Sequence, residues 1–357
     1  MERTSETPRV TVLTTVYNGL PYLTEAIEST LAQTYSDFEY LIIDDASPDS
    51  AVVPCIRSYT DSRIRLVVHA QNMGTARTMN DALAYIRTPY VVRLDQDDVS
   101  MPTRIAEQLQ MLDARPDLAA VCSWERTIDA QGHRVRTWKR TLADDGDALA
   151  YILMGLCPIW HPSLMFRTDA LRAIGGFRPE YSPAEDFDVT ARFVLARMGI
   201  GIVPEVLVLQ RDHGRRQSVR GEHAQTAMAH HIHEEAMSHA SGEVPSPCLA
   251  AFLRLEQDPC GLNYTRAHLL TIVHDLARLL DRVQREFGLS PDAQRTLQCR
   301  VVRRLGFGVR YAEQLSVFPD AMFSLMFFAL SPQFVPHARR AFARGRAAIH
   351  ALRRCAF

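Results

Sequence analysis

The chain has 357 residues, 47% of them hydrophobic and 23% charged, which sets aside disorder as the main state and allows one large core plus a smaller module. Lys and Arg number 40 against 41 Asp and Glu, so net charge gives no case for nucleic acid as a partner. The seven cysteines are scattered and form no CxxC pair, which removes a zinc ribbon or dithiol site and suits reduced thiols in a cytosolic protein.

Met1 to Arg9 is polar and runs directly into a strand pattern, so it does not read as a secretory signal. No apolar run approaches the ~20 residues that a spanning helix needs, the longest being Met322 to Leu330. Cytoplasmic residence is the expectation.

Val10 to Leu13 predicts a buried strand, followed by the turn signal Asn18-Gly19. Pro21 then suits the first turn of a helix whose apolar stripe is Leu23, Ala26, Ile27, Thr30 and Leu31. Glu39 to Ile43 predicts a second buried strand ending in Asp44-Asp45. A third strand, Ile64 to Val68, precedes a helix with Ala76, Met79, Leu83 and Ala84 on one face. A fourth, Tyr90 to Leu94, ends in Asp95. Strands alternating with helices predict a mostly parallel sheet covered on both faces.

Pro102 opens a further helix carrying Ile105, Leu109 and Leu112, and Leu118 to Cys122 predicts another strand. Asp129 to Gly155 is less regular, with Gly132, Gly146 and the acidic Asp144-Asp145, and is expected to include flexible loop. Ser163 to Phe166 predicts a strand, followed by a short helix ending at Gly175-Gly176. Ala184 to Met198 predicts a helix and Ile202 to Leu209 the last strand. Beyond about Gln217 only helical periodicities remain, broken at Pro245-Ser246-Pro247 and Ser290-Pro291. The expected division is 1–220 for the α/β domain and 221–357 for an all-helical module.

Ligands of open α/β sheets bind beyond the carboxyl ends of the strands. Three predicted strands end in polar or acidic groups: Thr14-Thr15, Asp44-Asp45 and Asp95 to Asp98. Parallel strands would bring them to one rim. The carboxylates of Asp95-Gln96-Asp97-Asp98 repel one another unless a cation or several donors neutralise them, and hard divalent ions prefer such oxygen ligands. Taken alone, the tetrapeptide would also serve as a solvated acidic turn.

The ordered blocks around it settle the reading. Thr14-Thr15-Val16-Tyr17-Asn18-Gly19, Gln33-Thr34-Tyr35, Asp44-Asp45-Ala46-Ser47-Pro48-Asp49, Asn72-Met73-Gly74, Arg93 to Asp98 and Glu185-Asp186 together resemble the family-2 glycosyltransferases of the GT-A fold, from about Val10 to Ser218. Ala46 stands where that family usually has Gly.

The resemblance implies a Rossmann-like α/β domain and inverting transfer of a sugar from a nucleotide-diphosphate donor, with UDP-sugar favoured. The acceptor would be a hydroxyl of a glycan or glycolipid, and the cofactor Mn²⁺ or Mg²⁺. Thr15, Asp45 and Asp95 match donor-nucleotide positions, with Tyr17 and Arg77 as further donor-side candidates, although a lone helix arginine such as Arg77 suits a solvated surface equally well. Asp97 matches the principal metal ligand, with Asp95 and His213 as further ligands. Asp186 matches the general base, with Glu185 and Asp98 as supporting or acceptor-side residues and His161 as a secondary candidate there. The start of a helix favours an ionised Asp186 and lowers its basicity.

Trp138 and Trp160 could stack on a sugar, although packing is the commoner use of the residue. His230-His231-Ile232-His233-Glu234-Glu235 lacks HExxH spacing and reads as a solvated helix face. Phe323, Met326, Phe327 and Phe328, with the arginines from Arg339 to Arg354, suit either an anionic membrane surface at the inner face of the cell membrane or a packed helical layer. Two other functions stay open: a non-catalytic nucleotide-sugar binder and a nucleotidyltransferase, the latter without a glycine-rich phosphate loop.

Overall fold

A computed structural model describes residues 8–213, 222–254, 266–297 and 300. Its nine described strands form one mixed sheet. They are β1 (Val10–Val16), β2 (Phe38–Asp44), β3 (Ile64–Val68), β4 (Tyr90–Arg93), β5 (Val99–Ser100), β6 (Leu118–Ile128), β7 (Arg134–Trp138), β8 (Met165–Arg167) and β9 (Gly199–Arg211). The order across the sheet is β3-β2-β1-β4-β8-β6-β9-β5, with β7 paired to β6.

The described residues fall into two compact units. One takes the described residues up to 145 and from 157 to 232, the other 146–156 and the described residues from 233 onward. The sheet lies in the first unit, and its first half is parallel as expected: β1 pairs parallel with β2 and β4, and β2 with β3. The second half departs from a mostly parallel sheet, because β8 runs antiparallel to both β4 and β6 and β5 antiparallel to β9. β6 and β9 return to a parallel pairing.

Alternation along the parallel strands explains why both faces are covered. Val10, Val12 and Val16 of β1 join Phe38, Tyr40 and Ile42 of β2 in one cluster. Helices α1 (Leu23–Leu31), α2 (Val52–Arg57) and α4 (Arg104–Ala114) cover it with Leu23, Ile27, Val52, Ile56, Ile105, Leu109 and Leu112. Full burial of each such side chain contributes about 1.5–3 kcal/mol. Leu13, Leu41 and Ile43 point the other way and are also buried, as are Ala76, Met79 and Ala82 of α3 (Thr75–Tyr85).

Three local expectations need correction. Pro21 lies before α1, which starts at Leu23, and follows a cis peptide bond. The buried stripe of α3 is Ala76, Thr78, Met79 and Ala82: Ala76 and Met79 are as expected, while Leu83 is half-buried and Ala84 exposed. The stretch 129–155 is structured: it carries β7 and helix α5 (Asp145–Leu153). The edge of a hairpin has too little alternation, and α5 too few polar positions, for either to stand out by periodicity.

After α6 (Thr168–Ala173) and α7 (Glu185–Leu195) come helices α8 (Glu222–Ser241), α9 (Pro247–Arg254) and α10 (Arg266–Phe287), and residues 291–297 are helical as well. Within the second unit Arg300 forks Asp147 at 2.5 and 3.0 Å, and His233 Nε2 lies 2.9 Å from the Leu153 carbonyl. His233 is fully buried, so the histidine-rich run is not wholly a solvated face. No described helix is long and apolar enough to cross a membrane. The phenylalanine- and arginine-rich tail from Phe323 to Arg354 lies outside the described residues.

Candidate active site

The rim follows from strand register. Thr15 pairs with Ile43 and Val16 with Asp44, while the Leu94 N–H donates to the Leu13 carbonyl at 3.0 Å. Thr15, Asp45 and Asp95 therefore leave three neighbouring parallel strands at one end. A reciprocal amide pair ties the loops together: the Tyr17 N–H donates to Gln96 Oε1 at 2.8 Å and Gln96 Nε2 donates to the Tyr17 carbonyl at 3.1 Å. A Cβ on Gly19 would come within 2.9 Å of Gln96 Oε1, so the glycine lets this pair close. The Tyr17 side chain itself is exposed.

The three acids of the loop have three environments. Asp98 is buried and accepts the Arg211 N–H at 2.8 Å, which anchors the loop to the end of β9. Burial, then the charges of Asp97 and Asp95, push its carboxyl well above the usual range. Asp97 is partly exposed, and its Oδ2 lies 2.8 Å from His213 Nε2. Arg211, two residues before His213, donates to the Asp97 carbonyl at 3.1 Å and pairs with Glu25. The ring of Tyr22 packs 4.9 Å from that of His213. Asp95 presents both oxygens to Arg93, at 2.6 and 3.2 Å.

Arg93, which the sequence offers only as part of the acidic motif, pairs with Asp95 and places its charge near Glu185, Asp186 and His161. It sits two residues before Asp95 on the same strand face, and it is buried. Its charge lowers the carboxyl groups of Glu185 and Asp186 and depresses the His161 imidazole. A charged residue inside an otherwise apolar strand was the available signal, since burying one without a partner is costly. Arg104, fully buried in α4, stabilises this region from below. It donates to the carbonyls of Arg93 at 2.6 Å and Pro162 at 3.0 Å, and burial lowers its pKa to about 10.

Asp186 lies in the first turn of α7, where its Oδ1 accepts the Phe187 N–H at 2.8 Å. Helix placement argued for lowered basicity. Burial outweighs the Phe187 hydrogen bond and the Arg93 charge, and the carboxyl is held above its ordinary 3.8. Glu185 is buried, also raised by burial, and its Oε2 has no hydrogen-bond partner. His161 lies in a 3₁₀ turn, 6.2 Å from the Phe177 ring, with Nε2 buried and unpartnered. Burial, then Arg93, keep its pKa well below 6.5, so the ring is neutral at pH 7.

Asp45 is enclosed by its own chain. Its carboxylate accepts from the Met73 N–H at 2.9 Å, the Gly74 N–H at 2.8 Å and His69 Nδ1 at 2.8 Å. Burial raises the group, but these donors outweigh it and hold Asp45 below 3.8. His69 Nε2 in turn meets Asp81 at 3.1 Å. A nucleotide contact by Asp45 must use the acceptor capacity left over. Ala46 has φ +57°, the left-handed region that favours glycine. Arg77 is exposed on α3.

Among the described residues no three His, Cys, Asp or Glu side chains are gathered as a metal cluster. The Asp97–His213 pair nonetheless has the donor set for a divalent ion that takes its remaining ligands from phosphate oxygens and water. Asp95 could join only by sharing its carboxylate with Arg93.

Residues 11–175 match the glycosyl transferase family 2 model. It is 28% identical over 260 residues to the O-antigen biosynthesis protein RfbC of Myxococcus xanthus, covering 69% of this chain and 19% of RfbC. An uncharacterized glycosyltransferase of Haemophilus influenzae is 27% identical over 243 residues, 65% of this chain and 74% of that protein. The chain thus spans about a fifth of RfbC and about three quarters of the Haemophilus protein. Among solved structures it is similar to residues 1–349 of S. aureus TarS in complex with UDP-GlcNAc, with TM-score 0.54 and 14% identity over 87% of this chain and 93% of that one. That likeness is one of fold, and the fold is GT-A.

Proposed function

We propose that this protein transfers a sugar from a nucleotide-diphosphate donor to a hydroxyl of a glycan or glycolipid, with inversion at the sugar carbon. The observation that carries the reading is the arrangement of charge around Arg93. Arg93 forks Asp95, Asp97 pairs with His213 two residues further on, and a carboxyl of raised pKa, Asp186, lies in the field of both Arg93 and Asp95.

Asp97 and His213 would hold Mn²⁺ or Mg²⁺ together with the donor's phosphates. When bound, the ion would supply positive charge against the diphosphate that departs. Thr15, Tyr17 and Asp45, at the ends of β1 and β2, would frame the nucleotide, and a uridine nucleotide is the donor we favour. Asp186 would accept the proton of the acceptor hydroxyl as its oxygen bonds to the sugar carbon. The bond from that carbon to the diphosphate breaks in the same step, and the nucleoside diphosphate leaves with the electron pair. A raised pKa makes Asp186 a better base. Neutral His161 and Glu185 would contact the acceptor side. We assign catalysis to the first compact unit rather than to all of residues 1–220, and acceptor, partner or membrane-surface contact to the helical region beyond it.

A panel of nucleotide sugars with Mn²⁺ or Mg²⁺, scored by thermal shift, tests this reading. One or more donors should stabilise the protein only with metal present. Stabilisation by nucleoside triphosphates alone would favour nucleotidyl transfer instead.

A further inference from the structure

All three tryptophans of the chain carry a cation over the ring. Arg136 lies 3.6 Å from the centroid of Trp138, Lys139 lies 4.8 Å from Trp124, and Arg140 lies 4.8 Å from Trp160. These rings and cations belong to the β6–β7 hairpin and to the residue just before the His161 turn. Residues 131–137 are exposed. Arg126, Arg134, Arg136 and Lys139 make no ion pair among the described residues, whereas Arg9, Arg63 and Arg115 each hold an acid within 2.8 Å.

The hairpin is rooted in the site. Ile128 at the end of β6 is paired with Arg211, the Asp212 N–H donates to the Ile128 carbonyl at 2.7 Å, and His213 follows. At its other end Arg140 donates to the Cys157 carbonyl and stacks on Trp160, the neighbour of His161. A strand edge is commonly guarded by charge against pairing with other chains. Guarding alone does not require the cations to be seated on tryptophans, where cation–π attraction fixes them in place. A neutral sugar would need a bare ring face, and these faces carry a guanidinium or an ammonium. Val135, 63% exposed, is the one large apolar side chain that the hairpin itself exposes, which is little to insert into a lipid surface.

We propose that this cationic, tryptophan-backed hairpin is an acceptor-binding track for a polyanionic glycan, one bearing carboxylates or phosphates along its length. The proposal rests on the glycosyl-transfer reading and deepens it by naming the charge class of the acceptor.

Tryptophan emission of the full chain reports on the track directly. Polygalacturonate, a uronate polymer, should bind and change the emission, while neutral dextran should not. Arg134→Gln, Arg136→Gln and Lys139→Gln combined should weaken polygalacturonate binding about tenfold. Arg57→Gln, Arg65→Gln and Arg87→Gln combined remove the same charge elsewhere and should change it less than twofold. Absence of polygalacturonate binding to the wild type, equal loss in both triple variants, or binding of phosphatidylglycerol vesicles in place of the saccharide would each overturn the proposal. Donor-induced thermal shifts measured on the same proteins keep the two readings apart. A wild type that binds saccharide through the hairpin but responds to no donor would defeat the transferase reading and leave the anion track standing.

Discussion

His213 Nε2 stands 2.8 Å from Asp97 Oδ2 across 116 positions of sequence. The antiparallel pairing of β5 with β9 makes that approach, because Val99 and Ser100 directly follow the acidic loop and bond to Leu209 and Val208 just before His213. Asp98 then fixes the loop by accepting the Arg211 N–H. Backbone pairing positions both candidate ligands, so neither depends on the other for its place.

Removing either partner should therefore abolish metal-dependent donor binding without unfolding the chain. Asp97→Ala and His213→Ala should each weaken donor affinity in the presence of Mn²⁺ on the order of 100-fold, with little change in Tm. Calorimetry is the check, and unchanged affinity would remove the altered residue from the metal site.

Asp186→Asn should retain donor binding and lower turnover about 10²- to 10⁴-fold. The base works only when ionised, and its pKa is raised, so wild-type turnover should fall as pH drops through a value above 3.8. A pH–rate profile that stays flat down to pH 4 would argue against Asp186 as the base.

Arg93→Met should move that acid limb further toward neutral pH, since Arg93 lowers the Asp186 carboxyl. It should also cost about 1–3 kcal/mol of stability by leaving Asp95 without its fork. An unmoved acid limb together with normal turnover would separate Arg93 from the base.

Ala46→Gly should stabilise the protein by about 1 kcal/mol, because the left-handed backbone at φ +57° strains a residue with a Cβ. Denaturant unfolding would show it. A loss of stability would mean that the entropy of the added glycine outweighs the strain.

His69 gives a pH signature of its own. Burial lowers its pKa, but the carboxylates of Asp45 and Asp81 outweigh burial and the folded value lies above 6.5. Stability from this pairing is fully present below 6.5 and is lost as pH rises through the folded value. His69→Gln should flatten that part of the stability profile, and a slope equal to that of the wild type would contradict the assignment.

Much of the first unit was legible because buried parallel strands are near-continuous apolar runs: Val10 to Leu13, Leu41 to Ile43 and Tyr90 to Leu94 announce themselves. The acidic rim was legible for the same reason, since Asp45 and Asp95 follow such runs directly. Relations made by distant partners were not. His69 turns Asp45 inward, and Arg93 gathers Asp95, Asp186, Glu185 and His161, which lie up to 93 positions away. Nothing local marks α5 either, whose residues 146–153 belong to the second unit.

The central claim is tested most directly by release of nucleoside diphosphate from the donor that the thermal-shift panel selects, followed with Mn²⁺ for the wild type, Asp97→Ala and Asp186→Asn. The expected result is metal-dependent release by the wild type, loss of both binding and release in Asp97→Ala, and retained binding with turnover reduced by orders of magnitude in Asp186→Asn. Release that continues at the wild-type rate in both variants would contradict the account.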